Sequence, residues 1–368
     1  MNSVSIKRIL IAAGGTGGDL FPAIAIIEEL QKRNPTLQTI FTGSPDRIEA
    51  TIIPSKGYEF RPMNSLKGFR GLSSSLFSIP FILLHAYREL LSIVKDFPPS
   101  CIICGGNYIS FPAGLLARLH NIPLIIIEPN AKPGRTNLFL SRIATFIITA
   151  FEETSSYFSK KVQHSIHHLG NPLRASFLEI KPTKEKAAQI FGFNPEMKTI
   201  LIFGGSLGAR SINHAVVKHI DFFEKKSIQV LWQTGTSFSV PVDLPPNIHT
   251  LPFIDDMISA YAASDLVICR SGGGTVAELA VCGKPSILIP LPGAANNEQE
   301  ENAHVMEIHG AALSVHDNAL ETELEYIINR YVNNPELLES MSYNATLMSK
   351  PLATTKTADL IETLLLKY

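Results

Sequence analysis

Three glycine-rich loops carry the residues able to do chemistry. Gly14-Gly15-Thr16-Gly17-Gly18-Asp19 follows the apolar run Ile9–Ala13 and precedes Leu20–Ile26, whose apolar residues have helical spacing. Gly204-Gly205-Ser206-Leu207-Gly208 follows Thr199–Phe203, and Arg270-Ser271-Gly272-Gly273-Gly274 follows Leu266–Cys269. Glycine lets the backbone approach a ligand closely, and N–H groups at a helix start favour an anion, usually a phosphate. The Ser206 hydroxyl can help hold a diphosphate, although tight strand–helix turns are also glycine-rich. Arg270 and Thr275 make a second anion pocket. Glu278 lies about one turn into the helix that Thr275 starts, where a carboxylate can accept two hydrogen bonds from a ribose diol.

Other polar clusters are less specific. Asp255 and Asp256 more naturally start the helix containing Ile258 and Tyr261 than bind a metal. Asn296-Asn297-Glu298-Gln299-Glu300-Glu301-Asn302 suits either the hydroxyls of a sugar or a solvated helix start. Cys101 and Cys104 have C-x-x-C spacing but lie on an apolar strand, where positions three apart face opposite sides. The thiols should diverge, and no zinc, redox or disulfide role is expected.

These residues need two domains to position them. The chain has 368 residues, 45% hydrophobic and 18% charged, with a formal net charge of −1. That composition fits a packed globular protein, and the charge gives no sign of bulk nucleic-acid binding. No signal peptide is expected, because the apolar run at Ile9 leads straight into a glycine loop, and the default compartment is the cytoplasm. The first loop lacks a dinucleotide fold's third glycine (Leu20 stands there), and Phe41-Thr42-Gly43-Ser44 lacks its ribose-binding acid. No P-loop motif is present either.

The two halves repeat a pattern. Cys101–Cys104, Gly105-Gly106-Asn107, Phe111–Leu119 and Leu124–Ile127 run parallel to Leu266–Cys269, Arg270–Gly274, Thr275–Val281 and Ser286–Ile289. With the loops at Gly14 and Gly204, each half has two strand–loop–helix units in matching order. The expected fold is α/β, two Rossmann-like domains facing across a cleft. Domains are expected at 1–172 and 173–347, with Gly170-Asn171-Pro172-Leu173-Arg174 as a hinge and a helix at about 348–368 packing back on the first half. Leu76–Leu84 is too short to span a bilayer. It reads equally as a core helix started by Pro80 or as a membrane-facing patch with Lys67 and Arg70.

The glycine loops, Asn130 after Glu128-Pro129, Gly170–Arg174, Gly204–Arg210, Phe253–Met257, Cys269–Gly272, and Gln299 with Asn302 together resemble the MurG family over nearly the whole chain. That family is the bacterial glycosyltransferase of peptidoglycan synthesis. The resemblance implies the GT-B fold and inverting transfer of N-acetylglucosamine from UDP-GlcNAc to the C4 hydroxyl of the muramoyl sugar of lipid I, giving lipid II. No cofactor or metal is implied. Ile254 would meet the uracil through its backbone and Glu278 the ribose. Ser206, Gly273, Gly274, Thr275, Val276 and Ala277 would hold the diphosphate, and Gln299 the sugar hydroxyls. Thr16, Gly17, Gly18, Asn130 and Arg174 would line the acceptor side. An apolar patch of Leu76, Phe77, Ile79, Phe81 and Ile82, with Lys67 and Arg70, would rest on the anionic cytoplasmic face of the inner membrane. Asp19 stands where the family has a histidine that is a candidate general base. A carboxylate at a helix N-terminus can take that role, with low proton affinity as its weakness. Proline at 129 and Glu298 also depart from the family's usual glutamine and histidine.

Overall fold

The computed structural model describes residues 7–69, 78–205 and 208–367. It divides into two compact units, Met1–Ala175 with Pro351–Tyr368, and Ser176–Lys350.

The first unit runs β1 (Arg8–Ala12), α1 (Gly17–Arg33), β2 (Gln38–Thr42), α2 (Glu49–Ser55), β3 (Glu59–Phe60), α3 (Ile79–Asp96), β4 (Cys101–Cys104), α4 (Asn107–Leu119), β5 (Leu124–Glu128), α5 (Arg135–Leu140), β6 (Phe146–Thr149) and β7 (Ile166–His168). Its strands form one parallel sheet in the order β3-β2-β1-β4-β5-β6-β7. Strands buried on both faces read as continuous apolar runs, as Ile9–Ala12 and Leu124–Ile127 do. Cys101 packs with α1 on one face and Cys104 with α4 on the other, so the two thiols diverge. Burial pushes both thiols up to about 12.

The second unit runs α6 (Lys184–Ile190), β8 (Thr199–Phe203), α7 (Arg210–Lys218), α8 (Ile220–Lys225), β9 (Gln229–Gln233), β10 (Ile248–Leu251), α9 (Met257–Ala263), β11 (Leu266–Cys269), α10 (Gly273–Cys282), β12 (Ser286–Leu288), α11 (Glu298–Ile308), β13 (Ala312–Ser314), α12 (Leu320–Val332) and α13 (Pro335–Met348). Its parallel sheet is ordered β10-β9-β8-β11-β12-β13. Strand order thus reverses between β1 and β4 in one unit and between β8 and β11 in the other. In open parallel sheets, ligands bind outside the strand ends at such a switch point. All three glycine loops leave from strands that flank one.

The C-terminal helix α14 (Ala353–Leu365) belongs to the first unit and packs on α1. It starts later than the position near Met348 read from sequence, because α13 ends there and Pro351 separates the two helices. Ala358, Ile361, Leu364 and Leu365 join the core beside Ile24 and Ile27. Arg33 ties the helices at the rim through Asp359 (2.7 Å) and Glu362 (2.9 Å). Each fully buried Ile or Leu contributes about 1.5–3 kcal/mol and each rim pair under about 1, so the apolar seam holds the helix.

Candidate active site

The first switch point gathers carboxylates. Asp19 sits in the first turn of α1, half-buried. Its Oδ2 accepts from the Thr16 hydroxyl (3.0 Å) and from the Asn107 amide (2.9 Å) at the start of α4. Burial among protein atoms pushes its carboxyl up to about 6, against these two donors, and the negative charge of Glu49 adds to the rise. The Asp19 carboxyl thus holds its proton more tightly than the sequence reading expected. A helix N-terminus alone would have kept its proton affinity low, and burial overrides that effect.

Glu49, at the start of α2, is fully buried behind the same loop. Its carboxylate accepts from the N–H of Gly15 (2.8 Å) and of Ser44 (2.8 Å). A Cβ on Gly14 or Gly43 would collide with that carboxyl, which explains glycine at both positions. An internal anion thus already holds one N–H of the supposed phosphate loop.

Glu128 closes β5, and its two oxygens accept from Asn130 N (3.1 Å), Asn130 Nδ2 (3.3 Å), Gly134 N (2.9 Å) and Asn137 Nδ2 (2.8 Å). Burial pushes it up to about 7, opposed by those donors and assisted by the charge of Asp19. The side chain of Asn130 is accordingly turned toward Glu128. The Arg174 guanidinium lies over the Phe21 ring of α1, 5.6 Å from its centroid. Sequence reasoning missed Glu49, Asn107 and Asn137. The only local signal for them was glycine at 14, 43 and 106.

The second switch point is built from backbone. Helix α10 begins at Gly273, two residues before the expected Thr275, and no side chain caps it. The N–H groups of Gly273, Gly274 and Thr275 have no intrahelical acceptor, whereas that of Val276 is bonded to Gly272 C=O (3.0 Å). A Cβ on Gly272 or Gly274 would meet nothing within 4 Å, so the space before this helix end is open. Ala277 and Glu278 follow within the helix. Glu278 is half-buried, its Oε2 accepting from the Tyr261 hydroxyl (3.0 Å). Ser206 and Leu207 lie outside the described residues.

Gln233, at the end of β9, escaped the sequence reading. Its Nε2 donates to Gly205 C=O (2.8 Å) and its Oε1 accepts from Ile254 N–H (2.8 Å), clipping the glycine loop to the segment after β10. Gln299 Oε1 accepts from Leu291 N–H (3.0 Å), and its carbonyl accepts from the Ser271 hydroxyl (2.7 Å). Asp256 caps α9 by accepting from Ser259 N–H (3.0 Å), the helix-start role expected for it.

Arg270 departs from its expected role. Its buried guanidinium donates to Asp317 (2.5 Å), to the Ile289 and Pro290 carbonyls (3.1 Å each) and to the Ser211 hydroxyl (2.8 Å). It braces the strand ends, and the anion it holds among the described residues is Asp317. Asp317, 47 residues downstream, could not be paired with it from the sequence.

Of the expected membrane face, Arg70, Leu76 and Phe77 lie outside the described residues. Pro80 stands in the first turn of α3, and Ile79 and Ile82 are half-buried. Phe81 is 67% exposed and Lys67 is exposed. Among the described residues no helix is long and apolar enough to cross a membrane.

Two parallel α/β sheets of seven and six strands, each with glycine loops at its switch point, form a GT-B fold, and the family matches make it that of a glycosyltransferase. A family model for the glycosyltransferase family 28 N-terminal domain matches residues 9–149, and one for the family 28 C-terminal domain matches residues 199–364. The UDP-N-acetylglucosamine–N-acetylmuramyl-(pentapeptide) pyrophosphoryl-undecaprenol N-acetylglucosamine transferase of Thermodesulfovibrio yellowstonii is 41% identical, over 97% of this chain and 99% of its own. The Myxococcus xanthus protein of the same name is 37% identical over 96% and 92%. The crystal structure of Acinetobacter baumannii MurG aligns with a TM-score of 0.76 at 28% identity, over 97% of this chain and 99% of that one. The chain belongs to the MurG family.

Proposed function

We propose that this protein transfers N-acetylglucosamine from UDP-GlcNAc to the C4 hydroxyl of the muramoyl sugar of lipid I, forming lipid II with inversion. The supporting observation is the 41% identity over 97% of the chain, which spans both glycine-loop switch points. In this reading the bare start of α10 and the loop containing Ser206 hold the diphosphate. Their N–H groups stabilise the charge that builds on the departing UDP. Glu278 holds the ribose diol. Ile254 reads the uracil through its carbonyl, since its N–H is committed to Gln233. Gln299 meets the sugar hydroxyls, and Thr16, Gly17, Gly18, Asn130 and Arg174 serve the acceptor side. Asp19 takes the proton of the attacking hydroxyl, and burial gives it the proton affinity that the step needs.

The protein works peripherally at the cytoplasmic face of the inner membrane. Helix α3 turns Phe81 and Leu84 outward, and α4, packed on it, exposes Leu115 and Leu119 beside Arg118. Apolar side chains with nearby cations suit an anionic interface. Vesicles containing anionic lipid should retain the wild type and release Phe81→Ser/Leu84→Ser; equal retention refutes this face.

Incubation with UDP-GlcNAc and a short-chain lipid I analogue tests the activity. The disaccharide product is expected. Formation of N-acetylmannosamine, or of a glycolipid from diacylglycerol, would overturn the reading.

A further inference from the structure

We propose that Asn107 is a positioning residue for Asp19. Its amide holds Oδ2 and so presents Oδ1 to the attacking hydroxyl. This rests on the reading of Asp19 as the base.

The geometry around Asn107 is unusual. It opens α4 with a φ of +54°, left-handed backbone that asparagine tolerates better than most residues, and the preceding Gly106 has a φ of +102°. Its side chain is engaged on three sides. Oδ1 accepts from Ile109 N–H (2.9 Å), which locks the amide to its own helix. Nδ2 donates to the Gly14 carbonyl on the loop and to Asp19 Oδ2 (2.9 Å). The amide cannot rotate without losing all three bonds, so it works as a fixed strut between α4 and the first loop.

The consequence for Asp19 is asymmetric. Thr16 donates to the same Oδ2 (3.0 Å), and Oδ1 receives no donor among the described residues. A Cβ on Gly106 would stand 3.4 Å from Oδ1, so glycine there keeps the space beside that oxygen open. Oδ1 is then the atom that takes the proton. As the acceptor's C4 oxygen bonds to C1 of the sugar, its proton passes to Oδ1, the C1–O bond to UDP breaks, and that electron pair leaves with UDP. The two donors on Oδ2 favour the carboxylate form. Burial opposes it, as does the charge of Glu49 from α2, while Glu128 from β5 itself feels the charge of Asp19.

The test compares full-length wild type, Asn107→Gly, Asn107→Asp and Asp19→Ala with UDP-GlcNAc and the lipid I analogue from pH 5 to 9. Wild-type kcat/KM should fall on the acidic side near pH 6, and Asp19→Ala should lose that limb. Asn107→Gly suits the backbone angle and removes the donor. It should move the limb up by about one pH unit, the worth of a charge-assisted hydrogen bond partly replaced by water. It should also lower kcat about 10-fold or more with KM for UDP-GlcNAc unchanged. Asn107→Asp keeps the side-chain shape and puts a like charge beside Oδ2, so it should move the limb further, and it serves alone if glycine loosens the loop. Limbs unmoved in the Asn107 variants, with the limb absent in Asp19→Ala, overturn the positioning role alone. An Asp19→Ala enzyme that keeps the limb overturns the base assignment and this proposal with it.

Discussion

The two switch points occupy equivalent places in their sheets and carry opposite electrostatics. Beside β1, three carboxylates (Asp19, Glu49 and Glu128) converge, and one of them already takes the N–H of Gly15. Beside β11, α10 starts with no acidic residue in its first turn and no side-chain cap. The scaffold is the same strand–glycine-loop–helix unit in both. A helix start left bare is an anion site, whereas one surrounded by acids is a proton acceptor. Glycine patterning locates both places, and the carboxylates set the charge that each presents.

The contrast breaks most visibly at Asp19. Asp19→Ala should lower kcat by about 10²–10⁴-fold, the usual worth of a general base, while UDP-GlcNAc binding measured by calorimetry stays as in the wild type. A smaller loss would remove Asp19 from that role. Glu278→Ala should weaken UDP-GlcNAc binding about 10–100-fold, matching the 1.5–3 kcal/mol of hydrogen bonds to a charged group. It should leave the acidic limb of the pH profile in place. If UDP-GlcNAc affinity is unaffected, the ribose lies elsewhere.

A third variant carries the acid of one switch point into the other. Gly272 has open space around it and the extended backbone of a helix cap, so Gly272→Asp should cap α10. Stability by urea titration should rise by about 0.5–1 kcal/mol, while UDP-GlcNAc affinity falls about 10-fold from the added repulsion. Unchanged affinity would separate this helix end from the diphosphate. The smallest effect is on stability at the first switch point. The folded-state pKa of Asp19 lies above its ordinary value, so the stability it contributes is present at low pH and is lost as pH rises through about 6. Asp19→Asn should therefore melt higher than the wild type at pH 8, with the gap closing toward pH 4; a gap independent of pH would contradict the burial effect.

Much of this architecture was legible in local pattern. Apolar runs followed by glycine loops mark the strands that flank each switch point, and strand alternation sends Cys101 and Cys104 to opposite faces. Asp256 and Pro80 act where helix-start chemistry puts them. What stayed hidden depends on partners distant in sequence. Arg270 looked like an anion ligand because Asp317 could not be paired with it. Asp19 looked like a weak base because the burial that raises its pKa comes from other elements. Gln233 and Asn107 are ordinary amides until the fold brings a second loop against each.

The position of α14 sets an order on the protein's birth. The first unit is incomplete until α14 covers α1, and about half of the chain must be made in between. At about 5–20 residues per second, a nascent first unit waits roughly 10–40 seconds with the apolar side of α1 uncovered, while the second unit can fold as it emerges. A chain cut before α14 should therefore leave an intact second unit joined to an aggregation-prone first unit, whose covering helix is made about half a chain after the rest of it.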